Sequence, residues 1–258
     1  MFVALSDTRV NETGAEDRIA AIDLTTGRET QRYDAGSDPE RLVVSPDGRR
    51  IYAANEDAGT TTVADVRSGK TLATLVVGIE PEGAAISPDG RWVYITAETS
   101  HTVSVIDANA LQVVTHFLVD PRPRAAAFSP DGTRAYVTAE IGGSISVIDI
   151  ATHRVIVTIE LPDGMHPVGL AVAPDGRHLY VANGHGNSVF IIDASTHAIV
   201  AVVPVGRRPW GIAVTPDGRK LYTANGLSNN VSVLDVAARR VTATIPAGEG
   251  PWDVIIGR

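Results

Sequence analysis

The chain has 258 residues, a formal net charge of −8 and no cysteine. The missing cysteines exclude disulfides, thiolate catalysis, cysteine zinc sites and covalently attached c-type haem. The acidic balance makes nucleic acid and anionic membranes poor partners, and the apolar runs, such as VGLAVA, are too short to span a bilayer.

The chain begins with a predicted strand, FVALSD, and a long polar loop, DTRVNETGAED, follows it. Leu5 lies 18 positions before Asp23, whereas the equivalent distance in every later repeat is 10 positions. A long loop on a rigid scaffold is a frequent binding element, and a disordered insert is the alternative interpretation. The first residues contain no charged segment before a cleavable apolar stretch, so no export signal is predicted from this chain.

A turn tetrapeptide then recurs along the rest of the chain. It appears as Ser45-Pro46-Asp47-Gly48, Ser87-Pro88-Asp89-Gly90, Ser129-Pro130-Asp131-Gly132, Ala173-Pro174-Asp175-Gly176 and Thr215-Pro216-Asp217-Gly218. The spacings are 42, 42, 44 and 42 residues. Proline presets the first corner of such a turn and glycine accepts the positive φ that follows, so each tetrapeptide predicts a tight turn between strands.

Each repeat reads as four short strands, A to D. In the second full repeat they are PEGAAIS, RWVYITA, TVSVID and VVTHFLV. Their alternating patterns, rich in valine and isoleucine, predict an all-β chain, and a period near 42 with four strands is typical of a β-propeller. Two recurring residues have predicted structural roles. An aspartate closing strand C should bind the backbone of the next turn (Asp23, Asp65, Asp107, Asp149, Asp193, Asp235), and a tyrosine in strand B should pack between blades (Tyr52, Tyr94, Tyr136, Tyr180, Tyr222).

The order of the strands predicts how the ring closes. The chain starts at a strand B and ends at a strand A, PWDVIIGR. We therefore predict a six-bladed propeller of four-stranded antiparallel blades, closed by pairing of residues 251–258 with the N-terminal strands B to D. The single domain, 1–258, would contain blades at 251–258 plus 1–38, 39–80, 81–122, 123–166, 167–208 and 209–250.

These repeats resemble a known family. The stretch from PEGAAISPDGRWVYITAETSHTVSVID through AEIGGSISVIDIATHRV, with PVGLAVAPDG and TPDGRKLYTANGLSNNVSVLDV, is similar to the YVTN-repeat β-propellers. Within them it most resembles the PQQ-dependent catabolism-associated β-propeller proteins. The resemblance implies a periplasmic, non-catalytic accessory of a quinoprotein alcohol-oxidation system. A propeller fold does not by itself carry a function.

Candidate site residues are those at which the repeats differ. They are expected at the channel mouth, after the strand A proline and after strand B, and they are Glu40, Glu82, Glu98, His101, Arg124, Glu140, His166, Asn183, Trp210, Asn225 and Trp252. Val168 occupies the remaining position after a strand A proline, and the segment LPDGMHP adds two residues before His166. Tryptophan would supply a stacking surface and arginine would bind a carboxylate of the ligand. The alternative is structural: Glu82, Glu98 and Glu140 would form ion pairs with Arg122 and Arg124.

Two other functions stay open at this point. Oxygen ligands suited to calcium are available for a lactonase-like hydrolase, namely Glu40, Glu82, Glu98, Asn183 and Asn225. A propeller that handles haem or a quinone would use a histidine at the mouth, such as His101, His166 or His185, or arginine and tryptophan around quinone carboxylates. We expect a monomer that binds a protein or a small molecule at this face, with no resident cofactor, and calcium only in the hydrolase alternative.

Overall fold

The computed structural model describes residues 1–6 and 17–257, and in this part of the chain all regular structure is β-strand. The strands form six antiparallel sheets, five of four strands and one of three. The chain divides into two compact units, Met1–Ala126 and Ala127–Arg258. No helix in the described residues is long and apolar enough to cross a membrane.

Three sheets lie entirely within the first unit. Their strands are β1 (Phe2–Leu5), β2 (Arg18–Ile22) and β3 (Glu29–Asp34); β4 (Pro39–Val44), β5 (Arg50–Asn55), β6 (Thr60–Asp65) and β7 (Thr71–Val76); and β8 (Pro81–Ile86), β9 (Trp92–Ala97), β10 (Thr102–Asp107) and β11 (Gln112–Leu118). Within each sheet the strands follow one another in chain order, as expected for strands joined by short turns.

The second unit continues the same pattern. Strand β12 (Pro123–Phe128) crosses the boundary between the units and belongs to a sheet with β13 (Arg134–Ala139), β14 (Ser144–Asp149) and β15 (Arg154–Glu160). The other two sheets are β16 (Pro167–Val172), β17 (His178–Asn183), β18 (Ser188–Asp193) and β19 (Ile199–Pro204), and β20 (Pro209–Val214), β21 (Lys220–Asn225), β22 (Asn230–Asp235) and β23 (Arg240–Pro246).

The recurring strand B tyrosines pack between sheets, as predicted. In the first unit Tyr52 of β5 shares a buried cluster with Val93 and Ile106 of the following sheet. In the second unit Tyr180 of β17 does the same with Ile212 and Leu221. The core is therefore a series of apolar layers between neighbouring sheets, which explains why a large aromatic residue recurs once in each repeat.

The predicted turn chemistry is also confirmed. In the first tetrapeptide Gly48 has φ +70° and donates its backbone N–H to the Ser45 carbonyl, while the Ser45 hydroxyl donates to Asp47. At the end of strand C, Asp193 accepts the backbone N–H groups of Ser195 and Thr196 at 2.9 and 2.8 Å. These bonds satisfy turn amides that no strand could pair.

The predicted closing strand is not formed. The first sheet has three strands, and residues 251–257 carry no strand. The C-terminal segment instead lies beside β20, where Gly211 donates its N–H to the Trp252 carbonyl at 2.9 Å. A Cβ on Gly211 would lie 2.1 Å from Asp253 Oδ1 and 2.5 Å from Asp253 Cα. A Cβ on Gly169 would lie as close to the next sheet, 2.0 Å from the Trp210 carbonyl oxygen. Residues 252 and 253 therefore lie against β20 much as the innermost strand of one sheet lies against the innermost strand of the sheet before it. A strand also requires a ladder of hydrogen bonds to a partner strand, and residues 251–257 form no such ladder.

The long loop predicted to be a binding element, residues 7–17, lies outside the described residues except for Asp17. The Asp17 carboxylate accepts the backbone N–H of Asp38 at 2.9 Å.

Candidate functional site

The sheets carry their most varied side chains at one end, where the innermost strand begins with proline and the second strand stops. Pro39 pairs with Asn55, Pro81 with Ala97, Pro167 with Asn183 and Pro209 with Asn225. Because the two strands are antiparallel, residues just after the proline and just after the second strand lie at the same end of their sheet. We call this the proline end; the S-P-D-G turns lie at the other end.

At the proline end of the first unit, a buried ion cluster joins two neighbouring sheets. The Arg124 guanidinium contacts the carboxylates of Glu82, at 2.9 Å, and of Glu98. Arg122 donates from Nε to the second oxygen of Glu98 at 2.7 Å. Glu82, Glu98 and Arg124 are 8%, 5% and 6% exposed. Glu82 and Glu98 thus make ion pairs with arginine of the kind that the structural interpretation predicts.

Glu40 lies in a contrasting, purely acidic cluster in the same unit. The ligand oxygens of Asp38, Glu40 and Glu56 lie within 4.8 Å of one another. Burial, followed by the charges of Glu82 and Glu56, raises the pKa of Glu40 to about 8. A hydrogen bond with Glu40 lowers the pKa of Glu56, but burial and the charge of Glu82 dominate and raise it overall. At neutral pH a proton therefore stays on Glu40 and lies between these two carboxyl groups.

His101 also lies at the proline end of the first unit, next to the ion cluster. Its Nδ1 contacts the Glu98 carbonyl oxygen at 2.7 Å. The backbone N–H of Arg122 lies 3.3 Å from the same ring nitrogen. The Nδ1 atom of His101 thus contacts backbone groups of Glu98 and Arg122, two residues of the ion cluster.

In the second unit the two predicted asparagines are fully buried and hold the backbone and strand C side chains. Asn225 donates from Nδ2 to Asn230 Oδ1 and Ser232 Oγ, and its Oδ1 accepts the Thr223 hydroxyl. Asn183 accepts the backbone N–H groups of His166, at 2.9 Å, and of Gly186, at 3.3 Å. Their amide oxygens are directed at protein donors, so a calcium site that includes them stays a prediction.

The two predicted tryptophans are stacked. The rings of Trp210 and Trp252 lie 3.9 Å apart between centroids, with an interplanar angle of 26°. The Arg208 guanidinium carbon lies 4.9 Å from the centroid of Trp210. Trp210 is 9% exposed and Trp252 is 44% exposed. The stack therefore offers one open indole face with a cation close to its buried partner.

Glu140 lies with two histidines at the proline end of the second unit. Ligand atoms of Glu140, His166 and His185 lie within 4.8 Å of one another. The two imidazole centroids are 3.9 Å apart, and Glu140 is 5% exposed while His185 is exposed. The sequence nominated all three residues individually, but it contained no signal that they would meet.

The structure also shows bridging residues that sequence reasoning missed. The buried Thr96 hydroxyl accepts the Gly83 N–H and donates to the Arg124 carbonyl. Thr138 makes the corresponding bond to Val168 in the second unit, at 2.7 Å. A threonine at equivalent positions of strand B was the available signal, because a hydroxyl that is buried in a sheet needs a hydrogen-bond partner.

Comparisons with known proteins fit this architecture. One chain of Kuenenia stuttgartiensis hydrazine synthase superposes with a TM-score of 0.84 at 23% identity, over 92% of this chain and 82% of that chain. The family model described as "Lactonase, 7-bladed beta-propeller" matches residues 120–244. The protein is therefore a β-propeller. A search of curated proteins gives no match.

A second family model is more extensive. The one described as "Cytochrome D1 heme domain" matches residues 9–139, just over half of the chain, and the chain belongs to this family. The narrower resemblance to PQQ-associated propellers stays a prediction.

The two histidines do not fit a haem that both of them would bind. Two imidazoles that bind one haem iron do so from opposite faces of the macrocycle, with the ring system between them. The imidazoles of His166 and His185 are in direct contact, with centroids 3.9 Å apart. Three ligand atoms that converge within 4.8 Å match a small ion instead.

Proposed function

We propose that this protein is a non-catalytic, ligand-binding propeller that holds a planar, carboxylate-bearing small molecule at the proline end of its second unit. A quinone cofactor is the ligand class that combines these properties. The observation that carries the proposal is the Trp210–Trp252 stack, whose outer indole is 44% exposed. Tryptophan is enriched at binding interfaces, where its large ring supplies contact area, and here two tryptophans are stacked together.

Charge next to the stack supports an anionic ligand. Arg207 and Arg208 precede β20, and their backbone N–H groups donate to Ser228 Oγ and Asn187 Oδ1. The main chain that carries both guanidinium groups is therefore fixed. A guanidinium beside an indole binds a planar carboxylate by charge and by stacking together.

The test is a titration with pyrroloquinoline quinone, with haem as a second planar probe, followed by tryptophan fluorescence. Trp252→Ala should weaken binding at least tenfold, and Arg208→Ala should weaken it in the same direction. Trp92→Ala is the matched control, because Trp92 also lies under an arginine, with the Arg91 carbon 4.5 Å from its ring, but at the S-P-D-G end of its sheet. Equal affinities of the wild-type protein and Trp252→Ala would contradict the proposal.

The family resemblance gives this proposal a cellular setting. It implies a periplasmic accessory of quinoprotein alcohol oxidation, in which a quinone-binding surface would contact the cofactor or its carrier. Fractionation of the native producing cells would test the location, and co-purification with a quinoprotein dehydrogenase would test the association.

A calcium-dependent lactonase is the second candidate, because the lactonase model matches residues 120–244. Of its five predicted ligands, Glu82 and Glu98 are bound to Arg124, and Glu40 is instead grouped with Asp38 and Glu56. Calcium-stimulated hydrolysis of an aliphatic lactone, lost in Glu40→Gln and kept in the exposed control Glu249→Gln, would favour this candidate. Absence of hydrolysis at millimolar calcium would remove it.

A further inference from the structure

We infer that Glu140, His166 and His185 form a binding site for a divalent transition-metal ion of the zinc class. Two imidazoles and one carboxylate are a ligand set that such ions use in proteins. Three ligand atoms at about 2.0–2.2 Å from one ion lie about 3–4 Å from one another. The present separations, all within 4.8 Å, need only small side-chain rotations to reach that geometry.

The three ligands come from three separate chain segments that the fold brings together within the second unit. Glu140 directly follows β13, His166 directly precedes β16 and His185 follows β17 by two residues. The backbone joins the two histidine segments, because Gly184 donates its N–H to the His166 carbonyl at 2.9 Å. A bound ion would link two neighbouring sheets at their proline ends.

An insertion specific to this repeat delivers His166. In the other sheets that begin with proline, the residue before the proline has a positive φ, between 53° and 62°, at Asp38, Glu80, Arg122 and Arg208. His166 is not among the positive-φ residues of the described chain. The two extra residues of LPDGMHP thus change the path by which the chain reaches Pro167, and this path brings the His166 ring against His185.

One side chain in strand C, that of Phe190, explains why the Asn183 amide bonds to the segment that carries His166. In two other sheets the asparagine that ends strand B donates to a hydroxyl two residues into strand C, from Asn55 to Thr62 and from Asn225 to Ser232. The equivalent residue is Phe190, which has no hydroxyl. Asn183 accordingly turns to the insertion, where its Oδ1 accepts the His166 N–H and its Nδ2 donates to Met165 Sδ.

The site is partly enclosed and partly open. The buried Glu140 supplies charge from the interior, whereas His185 is exposed to solvent. Gly184 and Gly186 flank His185 and leave its ring free to approach an ion. Three protein ligands leave a fourth position of a tetrahedral ion for water or an exogenous ligand.

The experiment uses the full chain, freed of metal with a chelator. Zinc and cobalt(II) are titrated separately, with cobalt absorption in the visible range reporting nitrogen and oxygen coordination. We expect one ion per chain and a rise in melting temperature on zinc addition. His185→Ala should abolish the cobalt spectrum and weaken zinc by more than the ~10–100-fold that loss of an outer-shell partner costs.

The matched control is His178→Ala. His178 begins β17, the strand whose other end leads to His185, so this variant removes one histidine from the same strand at the S-P-D-G end. It should bind zinc as the wild-type protein does. Glu140→Gln tests the carboxylate with a side chain of the same shape, and it should keep the fold while losing most of the affinity.

Zinc binding that is equal in wild type, His185→Ala and His178→Ala would overturn the inference, as would the absence of stoichiometric binding to the folded chain. The inference is independent of the proposed quinone ligand, because the Trp252→Ala variant should bind zinc normally. Failure of either proposal is thus visible without the other.

Discussion

Arg124 and Glu98 form an ion pair in the interior of the first unit, where their side chains are 6% and 5% exposed. The two residues come from strand β12 and from the residue after β9, so the pair connects neighbouring sheets. Taking two charges out of water is costly, and an isolated one left behind is costlier still. The pair therefore behaves as a unit, and removal of one member has a predictable direction.

Arg124→Ala should destabilise the protein by about 3–5 kcal/mol, because it leaves the buried carboxylate of Glu82 without its paired charge. Urea unfolding at neutral pH measures the loss. Arg122→Ala is the control, because the Arg122 side chain is 41% exposed and its pair with Glu98 is partly screened by solvent. A smaller loss in Arg124→Ala than in Arg122→Ala would show that the cluster does not depend on its buried member.

Glu40 gives a prediction that depends on pH. Its pKa is raised from 4.5 to about 8, first by burial and then by the charges of Glu82 and Glu56. Between these two values the folded protein holds a proton that the unfolded chain has released, so this group makes the protein less stable as the pH rises through the window. Glu40→Gln removes the effect. The variant should gain stability relative to wild type from pH 5 to pH 9.

Chemical denaturation of both proteins at pH 5, 7 and 9 checks this prediction. Glu249→Gln, at an exposed position, should show no such trend. A stability difference between Glu40→Gln and wild type that is constant with pH would contradict the raised pKa.

The repeated part of the fold was predictable from sequence because the repeats use the same residue types for their turns and for packing between sheets. The P-D-G turn, the strand C aspartate and the strand B tyrosine each act within one repeat or on the next one, so their roles are visible in a single period. The closing strand was not predictable in this way. PWDV has the sequence of a strand A, but a strand forms only with a hydrogen-bonded ladder, and residues 251–257 have none in the described chain.

The chemistry of the proline end depends on contacts between successive repeats. These contacts were not visible from an alignment of the repeats by sequence. Glu40 and Glu82 occupy the same position of successive repeats, directly after the strand A proline. Glu82 meets Arg124 of the next repeat and forms an ion pair with it. Burial, followed by the charge of Glu82, raises the pKa of Glu40. The two glutamates thus differ in their surroundings, because the same position of the following repeat is an arginine after Glu82 and a glutamate after Glu40.

The aspartates that end strand C differ in how many hydrogen bonds they accept. This difference predicts which of them contributes more to the melting temperature. Asp193 accepts two backbone N–H groups and the hydroxyls of Ser195 and Thr196, and these bonds lower its pKa. Asp235 accepts the N–H of Ala238, and at the positions equivalent to Ser195 and Thr196 this repeat has Ala237 and Ala238, which have no hydroxyl. Asp193→Ala should therefore lower the melting temperature more than Asp235→Ala does.

The same bonds fix the sign of the acid dependence. A lowered folded pKa means that the stability from Asp193 is present above the ordinary aspartate range and is lost as the pH falls through the folded value. The melting temperatures of wild type and Asp193→Ala should converge in strong acid. Equal losses in Asp193→Ala and Asp235→Ala at neutral pH would show that the hydroxyl bonds add nothing.

Thr96 connects two sheets through one buried hydroxyl, which accepts the Gly83 N–H at 2.8 Å and donates to the Arg124 carbonyl at 2.9 Å. Thr96→Val keeps the shape of the side chain but leaves both backbone groups without this partner. Unsatisfied buried polar groups cost about 1–3 kcal/mol, so the variant should lose stability in that range by urea unfolding. Thr96→Ser keeps the hydroxyl and removes only a methyl group, so it should be the more stable of the two. If Thr96→Val proves as stable as Thr96→Ser, the hydroxyl bridge does not hold these sheets together, and apolar packing alone accounts for their contact.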